Sequence, residues 1–134
     1  MTEAQSRFLR QVLVADGITS GVTGLGLVLI PGRVANLIAA PSASLVLAIG
    51  VGLILFGVVL VRSARQPVPS RGGTAFAVTL NLAWVVGSIA VVLSGALSSL
   101  GNWALSLVGI VVLIFAVLEL RSLPDRNDAR YFPA

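Results

Sequence analysis

VLVADGITSGVTGLGLVLI, residues 12–30, decides how this chain is read. Its length suits a membrane crossing, because a hydrocarbon core of about 30 Å needs about 20 apolar residues in helical form. Pro31-Gly32 ends the run, and Asp16 interrupts it near its start. A carboxylate inside a bilayer costs on the order of 3 kcal/mol or more unless it is paired, hydrated or protonated. Asp16 is therefore the residue that a functional account has to explain.

Composition places the rest of the chain in the same setting. Of 134 residues, 57% are hydrophobic and 10% charged, whereas soluble chains carry about 25% charged residues. Mean hydropathy is +1.02. The length suits a single unit. The sequence contains no Cys and no His, which excludes disulfides, thiol chemistry and the usual zinc or haem ligands, so no cofactor or metal is expected. The nine basic residues are all Arg and stand at the ends of apolar runs. That is a topology pattern, not a basic patch with interleaved aromatics, and nucleic acid is not an expected partner.

Residues 1–11 form a polar start with Arg7 and Arg10. The run that follows exceeds the h-region of a signal peptide, about 7–15 residues, and three more apolar runs come after it, so it reads as a retained helix. Residues 31–44 admit two readings. Val34, Leu37 and Ile38 at i, i+3 and i+4 suit a short interfacial helix, and the same stretch suits an apolar loop. Further spans are expected at residues 45–61, 74–97 and 103–118. The second ends at Arg62 and Arg65. QPVPSRGG (residues 66–73, with Arg71) is a loop by its Pro, Ser and Gly content. Residues 98–102 read as a tight uncharged turn, and 119–134 as a cytoplasmic tail opened by Glu119 and Arg121. The expected fold is all-α: a polytopic membrane protein with four transmembrane helices in an antiparallel bundle.

Alternation of sides puts Arg7, Arg10, Arg62, Arg65, Arg71, Arg121, Arg126 and Arg130 together, with Arg33 alone opposite. The positive-inside rule makes the arginine-rich side cytoplasmic, so both termini are expected there and these arginines at the lipid headgroups. The expected location is a bacterial inner membrane.

Periodicity then assigns faces. Asp16, Ser20 and Thr23 recur at i, i+4 and i+7, one polar face of the first span. About 100° around it lie Gly17, Gly21 and Gly24, whose spacing lets another helix approach closely. In the third span Thr74, Asn81, Ser88 and Gly95 repeat every seven residues, the period of a left-handed bundle. Gly50 and Gly57 keep the same spacing in the second. Asn81 lies about as far from its basic end as Asp16 does from its own. The two are expected to share a layer, with Trp84 one turn deeper. LVRS (residues 60–63) and LRS (residues 120–122) close the two halves, which suggests two tandem helical hairpins.

Each of these residues has more than one reading. Asp16 is a proton- or cation-binding carboxylate, or an acid paired with Arg62 or Arg121, or one hydrogen-bonded to Asn81. Asn81 suits an interhelical bond of about 0.6–2 kcal/mol. Trp84 suits core packing, Trp103 an interfacial belt, and Glu119 a solvated partner of an Arg. No His, Cys, phosphate-cradling glycine loop or nucleophile–base pair accompanies the acids, so an enzyme is not expected.

Two resemblances follow from these residues. Arg10, Asp16-Gly17, Pro31-Gly32 and Asn81-Leu82-Ala83-Trp84 occur in an order similar to that of a widespread group of uncharacterised bacterial four-helix membrane proteins. The resemblance implies a fold without an activity. The acid in the first of four helices, with Trp84 in the third, also resembles the small multidrug resistance exporters, in which such a carboxylate exchanges protons for cationic drugs. This chain has Asp in place of Glu, and its single Tyr, Tyr131, is in the tail instead of the membrane. Two functions from different classes are left: a non-enzymatic bundle that self-associates or serves a larger membrane complex, and a proton-coupled transporter or small channel using Asp16.

Overall fold

The computed structural model describes residues 2–123; Met1 and the tail residues 124–134, with Arg126 and Arg130, lie outside the described residues. Among the described residues there are five helices and no strands: α1 (Glu3–Leu29), α2 (Pro31–Ile38), α3 (Ala43–Ala64), α4 (Arg71–Ser94) and α5 (Ser99–Arg121). All but α2 are long and apolar enough to cross a membrane. The chain is an all-α membrane protein whose four candidate spans pack together.

Local sequence explains the boundaries. Thr2, Ser42, Ser70 and Ser98 each accept, through the side chain, a backbone N–H from the first turn of α1, α3, α4 and α5. These bonds satisfy donors that a helix start leaves unpaired. At α1 the Gln5 side chain also accepts from the Thr2 backbone, completing a capping box that starts the helix at Glu3, well before the apolar run. α1 rises about 40 Å, so its first turns reach beyond a hydrocarbon core of about 30 Å. Of the two readings for residues 31–44, a short helix is the one adopted. Pro31 stands in its first turn, where the missing N–H is not needed, and Ala39 ends it in the left-handed conformation.

Gly95 ends α4 in the same way, at φ 67°. A side chain is disfavoured there, which suits glycine. A Cβ built on Gly95 meets nothing within 4 Å. The expectation that Gly95 packs a neighbouring helix is corrected: the seven-residue stripe of α4 runs out because the helix stops.

α1 pairs with α3 and α4 with α5, and the two pairs meet through α1–α5 and α3–α4. Glycines make the α1–α3 seam. A Cβ on Gly24 would lie 2.5 Å from the carbonyl oxygen of Gly50, and one on Gly57 2.5 Å from that of Gly17. The two backbones are therefore in contact. Lipid tails are as apolar as leucine, so close packing of this kind, not hydrophobic burial, holds such helices together. Gly21 offers the seam only its backbone, which a Cβ on Gly57 would approach to 3.1 Å, while a Cβ on Gly21 itself meets nothing within 4 Å.

At the arginine-rich end Leu9, Leu13, Leu60, Ala64 and Ala77 form a buried cluster, with Val14 and Phe56 against it. Arg10 donates there to the carbonyl oxygens of Gln66 (3.2 Å) and Pro67 (2.8 Å), fastening the α3–α4 loop to α1. At the opposite end the Ser98 backbone N–H donates to Ile38 (2.9 Å) and its hydroxyl to Leu37 (2.8 Å). That pair of bonds ties α2 to the start of α5. Between the ends the outer surface is apolar, with Leu25, Val86, Leu93 and Ile110 all exposed, as in helices that face lipid.

Candidate functional site

One turn along from the buried cluster, α1, α4 and α5 bring three polar side chains together. Asp16, Asn81 and Glu119 are 1%, 3% and 0% exposed. The Asn81 amide donates to Asp16 Oδ2 at 2.7 Å and to Glu119 Oε2 at 3.0 Å. A primary amide has two N–H donors, and here one serves each carboxyl group. A single side chain thus joins three helices and both helix pairs. The Ser20 hydroxyl, one turn along α1, donates to Asp16 Oδ1 at 3.3 Å.

The rest of the expected polar set lies around this layer. Thr74 and Ser88 are buried one heptad to either side of Asn81. The Thr74 hydroxyl donates to the Ser70 carbonyl at 3.0 Å. A Cβ on Gly109 would lie 3.9 Å from that of Ser88, so α5 passes close to this side chain. Thr23 is half-buried and sits outside the hydrogen-bonded layer. Trp84 is half-buried too, and its indole N–H has no hydrogen-bond partner.

Of the alternatives open for Asp16, the expected layer with Asn81 is the one adopted, and Arg62 and Arg121 are both exposed. One expectation is corrected. Glu119 is not a solvated partner of Arg121 but a fully buried member of the layer. Helix phase is the reason. Residues two apart on a helix point about 200° apart, so an outward Arg121 turns Glu119 inward. Ala116, one turn earlier, is buried on the same face of α5. Leu60 likewise precedes Arg62 by two residues in α3 and is fully buried.

The layer therefore holds two carboxyl groups around one amide. With water excluded, each hydrogen bond in it is stronger than it would be at a surface. Glu119 Oε1 is buried and receives no N–H from its surroundings, and the Asp16 carboxyl group lies within hydrogen-bonding reach of Glu119. Among the described residues no group of three or more His, Cys, Asp or Glu could hold a metal ion. Comparison with protein-family models, with curated proteins and with solved structures finds no match for this chain, so its two resemblances rest on the residues quoted for them.

Proposed function

We propose that this chain is a non-enzymatic integral membrane protein of a bacterial inner membrane, with both termini in the cytoplasm, working as an assembly component. In this reading it associates with copies of itself or with a larger membrane complex. The observation that carries it is the Asn81 bridge from Asp16 to Glu119, with all three side chains almost wholly buried. Polar groups inside a membrane serve either to fix helices together or to move something across. Here the donors of the layer are spent on holding the two helix pairs in register.

The second reading is proton-coupled transport of a small molecule. It is favoured by one specific feature, the two carboxyl groups that meet each other around one shared amide. Flux through the reconstituted protein separates the two. We expect a pH gradient to drive no flux of organic cations in liposomes, and Asp16→Asn to leave that result unchanged. Flux that the parent protein supports and Asp16→Asn abolishes would replace the assembly reading with the transport one.

A further inference from the structure

On the outer side of the α1–α3 pair, facing away from the polar layer, lies an open groove of ≈ 420 Å³. Gly17, Gly21 and Gly57 form its floor, and Ile18, Val22, Ile54, Val58 and Val61 line it. Arg62 and Arg65 close one end, and no acidic residue is among the lining side chains. Both arginines are exposed. The seam explains why a groove exists at all. Where two helices meet through glycine, the missing side chains leave a furrow along the line where they touch. Gly21 deepens it, because its Cβ position opens into free space.

The dimensions fit one acyl chain of a lipid. From Ile54 to Arg65 α3 rises about 16 Å, roughly one leaflet of a hydrocarbon core of about 30 Å. The apolar part thus lies at acyl-chain depth in one leaflet, and the arginines at headgroup depth of that same leaflet. Basic pockets between transmembrane helices are a recurrent way to hold anionic headgroups, and guanidinium matches phosphate geometry with paired donors. We propose that this groove is a binding site for an anionic glycerophospholipid, one acyl chain lying over Gly17, Gly21 and Gly57 and the phosphate held by Arg62 and Arg65. The site stands independently of what the polar layer does, since it uses the opposite side of α1.

Native mass spectrometry of the detergent-solubilised full chain tests it, with phosphatidylglycerol and phosphatidylcholine of identical acyl chains as probes. Phosphatidylglycerol is expected to bind about tenfold or more tightly than phosphatidylcholine, a preference for which two arginines suffice. R62Q/R65Q should remove that preference and leave the melting temperature unchanged, since both side chains are exposed. G21L, which fills the groove from a position with free space, should weaken both lipids about tenfold. Equal binding of the two lipids by the parent protein would overturn the proposal, as would a preference that survives R62Q/R65Q. So would a dimer that G21L dissociates while lipid binding persists, because the occupant would then be a second copy. Should G21L fail to fold, the arginine pair alone decides the matter.

Discussion

Asn81→Leu is expected to lower the stability of the protein in detergent by about 3 kcal/mol and its melting temperature by about 10 °C. The substitution removes two interhelical hydrogen bonds, each worth about 0.6–1.7 kcal/mol in a membrane protein. It also leaves Asp16 Oδ2 and Glu119 Oε2 buried without the donor they now share, and an unsatisfied buried acceptor costs about 1–3 kcal/mol. The larger part of the loss is thus the orphaned carboxyl groups and not the bonds themselves. That has a consequence for a triple variant with leucine at 16, 81 and 119. Removing every polar partner together is far less damaging than removing one, so the triple variant should recover most of what Asn81→Leu loses. Thermal melts followed by circular dichroism or intrinsic tryptophan fluorescence would show both results. Sensitivity of the triple variant equal to that of Asn81→Leu would mean that the layer does not act as a unit.

Gly24→Leu is expected to be at least as severe, for a different reason. Its Cβ alone would stand 2.5 Å from the Gly50 carbonyl oxygen and 2.9 Å from Leu53 Cβ. Backbone cannot swing aside as a side-chain tip does, so α1 and α3 must separate along the whole seam. Overpacking in an ordinary core costs about 1–3 kcal/mol. Here the substitution forces open the main packing surface between two spans, and the folded protein should fail to accumulate. Gly57→Leu should behave alike. Gly26→Ala and Gly52→Ala provide the contrast, since a Cβ at either site meets nothing within 4 Å. Both should melt within a few degrees of the parent, with any change toward greater stability, because alanine is the better helix former by about 1 kcal/mol. Equal tolerance at Gly24 and Gly52 would remove the glycine seam from the account.

The two sets of residues were legible in the sequence to different degrees. The four apolar runs announce four helices, since few other arrangements satisfy backbone groups in lipid. Gly17 and Gly24 on one helix and Gly50 and Gly57 on another share a spacing of seven, which is why two surfaces suited to close approach could be seen. That the two surfaces meet each other is a tertiary fact, and spacing alone does not carry it. The pairing of Asp16 with Asn81 was legible from their equal distance to the basic end. Glu119 was not, because a charged residue near a membrane boundary suits the surface as well as the interior, and only helix phase, set by packing, puts it opposite Arg121. Gly95 failed for a simpler reason: a seven-residue repeat says nothing about where a helix stops, and a left-handed cap favours glycine as strongly as a packing face does. Arg10 reads as a topology marker, yet its guanidinium also holds the α3–α4 loop. The groove over Gly21 could not be read at all, since it exists only once α1 and α3 have come together.

The layer and the seam divide the work of the fold. The seam joins α1 to α3 with little chemistry and much surface. The layer joins that pair to α4 and α5 with one amide. The proposed assembly role would need helix pairs in a fixed register, and it is this division that the proposal rests on. If the same layer instead moves protons, Asn81 must release one carboxyl group during the cycle, and the bridge would be a gate.

A double-mutant cycle between Asn81→Leu and Glu119→Leu, read as unfolding free energies in detergent, tests the bridge most directly. Distant, independent sites add within about 0.3–0.5 kcal/mol, whereas residues sharing a hydrogen bond do not. The double variant is expected to be more stable than the sum of the single losses implies, by about 1 kcal/mol or more, because each partner's removal relieves the other. Additive losses would place Glu119 outside the layer and contradict the account.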